Sequence, residues 1–313
     1  MFRTIASLDA VVTKLFHFID TSELRAEEKA RIKDTIESAT LPFLRLQILP
    51  SGKSTVKPLS SLAPMLTEWA ASSKILLSAL PIEQLFPIID LWRLGFLSTT
   101  VGTWVSEELE NPPDATPSII SEFLNKAASK PLPRPFVLTL LKSLCNAFGT
   151  PALTQRLLAP GQLREKLTDL TISQLLEEDN LIRTTAASLV FNIASSSRAQ
   201  RASTGKNSSV PQTPTEIDVE WEIEIVSAVI ERIGREENEE IREFSVSSKN
   251  HLVEATQSTG SLLVLDSSFS CPQRMRISYR NYWRCFRFGN CWRTKRPRWL
   301  RRPRSFSWPL RSV

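Results

Sequence analysis

Two asparagines and two cations are the side chains in this sequence best suited to chemistry, and that chemistry is binding. Asn146 lies in the apolar run Leu144-Cys145-Asn146-Ala147-Phe148, and Asn192 in Val190-Phe191-Asn192-Ile193-Ala194. A side-chain amide both donates and accepts, so one that faces a groove can hold the N–H and C=O of an extended peptide. Arg93 and Lys142 would add positive charge at the rim of such a groove, where acidic side chains would meet it. A competing reading has each Asn cap or bridge neighbouring helices. Arg93 would likewise pair with Asp90, three residues before it on the same helix.

The helices that carry these residues are legible in the pattern. Pro133-Arg134-Pro135 opens one, with proline suited to a first turn, and Gly149 closes it. Phe136, Leu140, Leu144 and Phe148 follow i, i+4 spacing with Val137 and Leu141 beside them, which predicts a buried stripe. Asn146 falls on a separate polar stripe with Thr139, Lys142 and Ser143. A second helix runs from a cap at Asp179 or Asn180 to Ala194. Its apolar side is Ile182, Ala186, Leu189, Val190 and Ile193, and Asn192 aligns with Thr185 and Ser188. The two Asn are 46 residues apart (192 − 146). That lies within the roughly 40–47-residue period of armadillo and HEAT repeats, so the fold expected is an all-α, armadillo-like helical solenoid.

Catalysis finds no comparable support. The two histidines, His17 and His251, have no Cys or carboxylate at nucleophile–base spacing, and His17 falls on the surface of its helix. Cys271, Cys285 and Cys291 lack a fourth ligand, so no zinc site is expected. Cys145 reads as a packing cysteine. Gly52-Lys53-Ser54-Thr55 resembles the end of a phosphate loop, but Gln47 stands where its first glycine belongs. The reading is therefore non-enzymatic, with no metal and no cofactor.

Composition bounds the rest. Glycine, at 9 of 313 residues, is too scarce for glycine-rich nucleotide folds. No run of 18 or more apolar residues predicts a membrane span. Four irregularly spaced cysteines point to a reducing compartment, cytoplasmic or nuclear. The net charge of +6 is unevenly spread. The stretch from Cys271 to Val313 holds 13 Lys and Arg and no carboxylate, which leaves residues 1–270 near −7 (6 − 13).

Taken in order, residues 4–20 predict an amphipathic helix and the next ends near Thr40, followed by a connector from Leu41 to Pro58. Helices follow at Ser61–Leu80, after Pro81 and Pro87, and from Thr116 to about Lys130. Thr154–Leu158 and Gln162–Leu176 come next. Residues 198–215, rich in Ser, Thr and Pro, predict a disordered loop. Helix resumes near Glu220 and runs to Gly234, with a charged helix start at Arg235–Arg242. Past Glu243 the periodicity fades and serine, arginine and tryptophan take over. Two readings compete for residues 244–313. One is a basic aromatic tail that binds nucleic acid by phosphate contacts and stacking. The other, favoured because every carboxylate vanishes together with the periodicity, is translation that leaves the true frame or reads an intron near residue 243.

Three ordered segments then resemble a known family. Leu80-Pro81-Ile82-Glu83-Gln84-Leu85-Phe86-Pro87-Ile88-Ile89-Asp90-Leu91-Trp92-Arg93-Leu94 is similar to the opening signature of the PUL domain. Leu144-Cys145-Asn146-Ala147-Phe148 resembles its middle signature, and Asn180-Leu181-Ile182-Arg183-Thr184-Thr185-Ala186-Ala187-Ser188-Leu189-Val190-Phe191-Asn192 its third. The resemblance covers about 59–243, with 1–58 similar to the helical linker that precedes PUL in longer proteins. It implies an armadillo-like adaptor that binds the C-terminal tail of the hexameric AAA ATPase known as valosin-containing protein, in ubiquitin-dependent protein handling. The family continues with further helices beyond 243, where this sequence departs from it, so the C-terminal part of the solenoid is expected to be truncated. The thioredoxin Cys-x-x-Cys and the PPPDE peptidase residues of longer relatives are not found. The peptide groove implied is lined by Arg93, Lys142, Asn146 and Asn192.

Overall fold

The computed structural model describes residues 8–48, 59–111, 116–129, 131–207, 216–235 and 246–247. The chain divides into two units, Met1–Leu263 and Val264–Val313. All that follows concerns the first. The second lies outside the described residues, as do His251, the 52–55 phosphate-loop look-alike, residues 236–242 of the expected charged helix start and nearly all of the 244–313 tail.

Every described element is helical. The first helices are α1 (Leu8–Thr21), α2 (Ala26–Asp34) and α3 (Leu41–Ile48). The helix expected to end near Thr40 does not stop there. A π-helical turn at Thr35–Thr40 carries the chain into α3, where the Leu41 N–H reaches the Ile36 carbonyl. Pro42 has no N–H for an ordinary i−4 bond, and the wider turn just before it lets coiling continue. Burial of Leu41, Phe43 and Leu44 rewards the extra turns.

Next come α4 (Leu59–Ala79), a short 3₁₀ turn (Ile82–Gln84), α5 (Phe86–Gly95), α6 (Thr99–Glu110) and α7 (Ile119–Ala127). They are followed by α8 (Arg134–Ala147), α9 (Pro151–Leu158), α10 (Gln162–Leu175), α11 (Asn180–Asn207) and α12 (Glu216–Arg235). Proline in the first turn starts α5, α8 and α9, where its missing N–H costs nothing. Ser118 caps α7, its Oγ accepting from the Ser121 N–H at 3.3 Å. Asp179 caps α11, its Oδ1 accepting from Leu181 N–H at 2.9 Å and Ile182 N–H at 3.0 Å. The loop expected from residue 198 begins later, because α11 runs on to Asn207. Arg198, Ala199, Gln200, Arg201 and Ala202 are good helix formers, and no glycine interrupts before Gly205. Residues 208–215 lie outside the described residues.

Packing shows a three-helix repeat. α5, α6 and α7 pack respectively on α8, α9 and α10, and α11 packs on α8 in turn while α12 packs on α10. The first helices of successive repeats begin at Phe86, Arg134 and Asn180, steps of 48 and 46 residues (134 − 86 and 180 − 134). α5, α8 and α11 run parallel. Asn146 near the end of α8 bonds Arg93 near the end of α5, and the first residue of α8 pairs with the cap of α11.

α5 is buried on nearly every side, between α8 and the α1/α3 pair. Trp92 on α5 stacks on Trp69 of α4 with centroids 4.0 Å apart, and its indole N–H donates to Ser73 Oγ at 2.9 Å. A Cβ at Gly95 would come within 2.9 Å of the Trp69 ring, so this close approach needs glycine. The result is a rigidly seated α5, on which the rest of the array is registered. No single described helix is long and apolar enough to cross a membrane; α8 and α9 reach that length together, but bend by 116° between them.

Candidate functional site

The parallel array ends in a repeated device. At the end of α5, Phe96 N–H bonds the Trp92 carbonyl, then Leu97 bonds Leu94 and Ser98 bonds Gly95. At the end of α8, Phe148 bonds Leu144, Gly149 bonds Asn146 and Thr150 bonds Ala147. Both helices switch from α to 3₁₀ spacing at the same place, and the switch skips one carbonyl: Arg93 in α5 and Cys145 in α8. Such helix-end carbonyls need an outside donor when buried. Asn146 Nδ2 donates to the Arg93 carbonyl at 3.0 Å, and Asn192 Nδ2 donates to the Cys145 carbonyl at 3.3 Å. Each asparagine reaches back one repeat to satisfy the carbonyl its predecessor leaves open.

The two amides expected to face an extended peptide therefore bridge helices. Asn146 is wholly buried, out of reach of a surface ligand, and Asn192 is half-buried with its amide N–H on Cys145. The shared register seen in the sequence is real, and its physical cause is the skipped carbonyl.

The cations are differently placed. Arg93 Nε donates to Asp90 Oδ1 at 2.6 Å, with 4% of the Arg93 side chain and 18% of the Asp90 side chain exposed. This is the i, i+3 pairing anticipated as the alternative to a free groove cation. Lys142 is half-buried on the outward side of α8. Desolvation holds its ammonium below the usual lysine range, the nearby Arg93 and Arg134 lower it further, and Asp90 opposes them. Arg134, exposed, forms a two-pronged pair with Asp179 at 2.6 and 3.4 Å. That pairing, with the Ile182 and Leu181 backbone N–H groups, pulls the Asp179 carboxyl down to about 2. Arg93, Lys142 and Arg134 thus form a band of positive charge across α5 and α8, with Asp90 and Asp179 as its local counter-charges. Sequence reasoning gave Arg134 no part in it. Its signal was there, since Arg134 and Lys142 lie two i+4 steps apart on one helix.

Among the described residues no three His, Cys, Asp or Glu side chains come together to hold a metal ion. Cys145 is buried between α8 and α11, its Sγ 3.8 Å from the Thr185 carbonyl, and burial pushes its thiol up to about 12, far from a reactive thiolate.

The parallel array of α5, α8 and α11, with its flanking helices, defines an all-α helical repeat fold. Residues 1–267 match the PUL domain, and the chain belongs to that family of helical protein-interaction domains. The match is wider than 59–243. It takes in the stretch read as a preceding linker, of which α1 and α3 pack on α5, and it runs past residue 243. The chain matches no curated protein.

Proposed function

We propose that this protein is a non-catalytic adaptor whose α5–α8–α11 array binds the acidic C-terminal tail of a AAA ATPase of the valosin-containing-protein type, in ubiquitin-dependent protein handling in the cytoplasm or nucleus. The observation that carries this reading is the band of Arg93, Lys142 and Arg134 on an otherwise acidic unit, in a family of protein-interaction domains. The accessible members, Arg134 and Lys142, attract an acidic peptide to that place, while the acidic remainder of the unit repels it elsewhere.

In this reading Lys142 meets a carboxylate of the tail. Arg93, held by Asp90, supplies fixed positive potential behind it. Asn146 and Asn192 act one layer deeper by holding α5, α8 and α11 in register, so that the cations stay on one side. The test is titration of the full chain with a synthetic peptide of the ATPase tail. Lys142→Glu should weaken binding by about tenfold at low salt and by much less at high salt, as expected for a partly exposed charge contact. An unchanged affinity in Lys142→Glu would remove the site, and no binding by the unaltered chain would remove the function.

A further inference from the structure

Arg134, Leu138 and Lys142 follow one another at i, i+4 and i+8, a single ridge on α8. Arg134 is exposed and the other two are half-buried, whereas Phe136, Val137, Leu140 and Leu141 are buried in the core. The outward ridge is therefore cation, apolar, cation. Its ends meet different neighbours. Arg134 is tied to Asp179 at the start of α11, and Lys142 sits in the field of Asp90 and Arg93 on α5. The ridge crosses α8 obliquely from one helix seam to the other.

Eight residues of α-helix rise about 12 Å. An extended chain advances about 3.3 Å per residue and returns a side chain to the same face at every second position. Four residues span the ridge on one face. Three fall short and turn the second side chain away. We propose that this ridge reads an extended segment of the pattern acidic–x–apolar–x–acidic, laid along α8 with its apolar side chain over Leu138. The proposal rests on the adaptor reading in taking the partner to be an acidic peptide, and it adds the register in which that peptide is read. An apolar residue between the two cations favours a peptide over a phosphodiester backbone, which has nothing apolar to place there.

The test uses the full chain and two fluorescein-labelled peptides of identical composition, followed by anisotropy at low salt. One contains Glu-Ser-Leu-Ser-Glu, and the other the same residues as Glu-Glu-Ser-Ser-Leu. The in-register peptide should bind about tenfold more tightly, the product of two contacts worth about threefold each. Arg134→Gln and Lys142→Gln should each cost about threefold and cut the preference to about threefold, the double substitution should abolish it, and Arg134→Lys keeps it. Circular dichroism checks that the variants fold. Equal binding of the two peptides, or a preference that survives the double substitution, overturns the proposal. So does displacement of both peptides alike by a thymidine oligonucleotide, which would mark a site for nucleic acid. The ATPase tail peptide in the same assay separates the two readings. If the tail binds and register has no effect, the ridge proposal falls and the adaptor reading stands. If the in-register peptide binds and the tail does not, the reverse holds. If nothing binds, both fall.

Discussion

Removing the Asn146 amide deletes its bond to the Arg93 carbonyl between two buried residues. We expect Asn146→Ala to destabilise the fold by about 1–3 kcal/mol, the range for breaking a buried polar pair, measured as a shift in urea midpoint. Asn192→Ala should cost less, because Asn192 is only half-buried and its 3.3 Å bond is longer than the 3.0 Å bond of Asn146. A larger loss at Asn192 than at Asn146 would contradict this account. The residue scale is also where the sequence said least. Its period marked both asparagines, yet their use depends on a carbonyl skipped in a neighbouring helix 53 residues away in one case and 47 in the other. That skip is a backbone event at helix ends, and no side-chain pattern announces it. Asp179 was legible, since a capping carboxylate before an apolar run has a local signature. Its folded value of about 2 lies below its ordinary 3.8. Its contribution is thus fully present above the unfolded value and is lost as pH falls through about 2. Asp179→Asn keeps a capping oxygen but loses the Arg134 pair, so the stability gap between wild type and variant should close as pH falls across that window. A gap that stays constant would show that the ion pair contributes nothing.

At the scale of elements, the tightest junction is between α6 and the start of α9. A Cβ on Gly102 would lie 2.2 Å from Thr150 Oγ1 and 2.6 Å from its Cβ, too close for any rotamer change alone to relieve. Gly102→Ala should therefore destabilise by about 1–3 kcal/mol, the usual cost of overpacking, even though alanine favours helix elsewhere. A raised melting temperature would refute the close crossing. The helices around it were largely predictable, because α7 and α8 carry strong apolar periodicity and a polar cap or proline at their starts. α6 itself was not read as a helix, and several boundaries were missed, two of them instructively. The stretch from Leu41 reads as a connector, yet a π turn carries the helix into it, and the polar composition after Ala194 reads as loop, yet Ala, Arg and Gln sustain α11 to Asn207. In both places composition was weighed against a chain that still had intrahelical bonds to make.

For the whole molecule, the consequence of a three-helix repeat is that stability is shared between neighbours. The asparagine side chains bond backbone carbonyls across the α5–α8 and α8–α11 seams, so the three first helices should unfold together. Hydrogen exchange should show amides of α5, α8 and α11 opening with similar free energies in the unaltered chain. In Asn146→Ala the α5 amides should separate from those of α8 and α11. Uniform exchange in the variant would show that apolar packing alone links the repeats. The repeat period was visible from two short motifs, whereas the third member, α5, was not, because Leu94 and not asparagine holds the position that matches Asn146. α5 begins the series, so it accepts a bridge and has none to give.

Cys145 turns this seam into an instrument. Its sulfur is sealed between α8 and α11 beside the Thr185 carbonyl and kept protonated by burial, so a thiol reagent can reach it only when the two helices part. With Cys271, Cys285 and Cys291 replaced by serine, the rate of labelling becomes a clock for the breathing of the array. A peptide bound across the outer face of α8 should slow that clock, and its saturation curve would report occupancy without any label on the ligand.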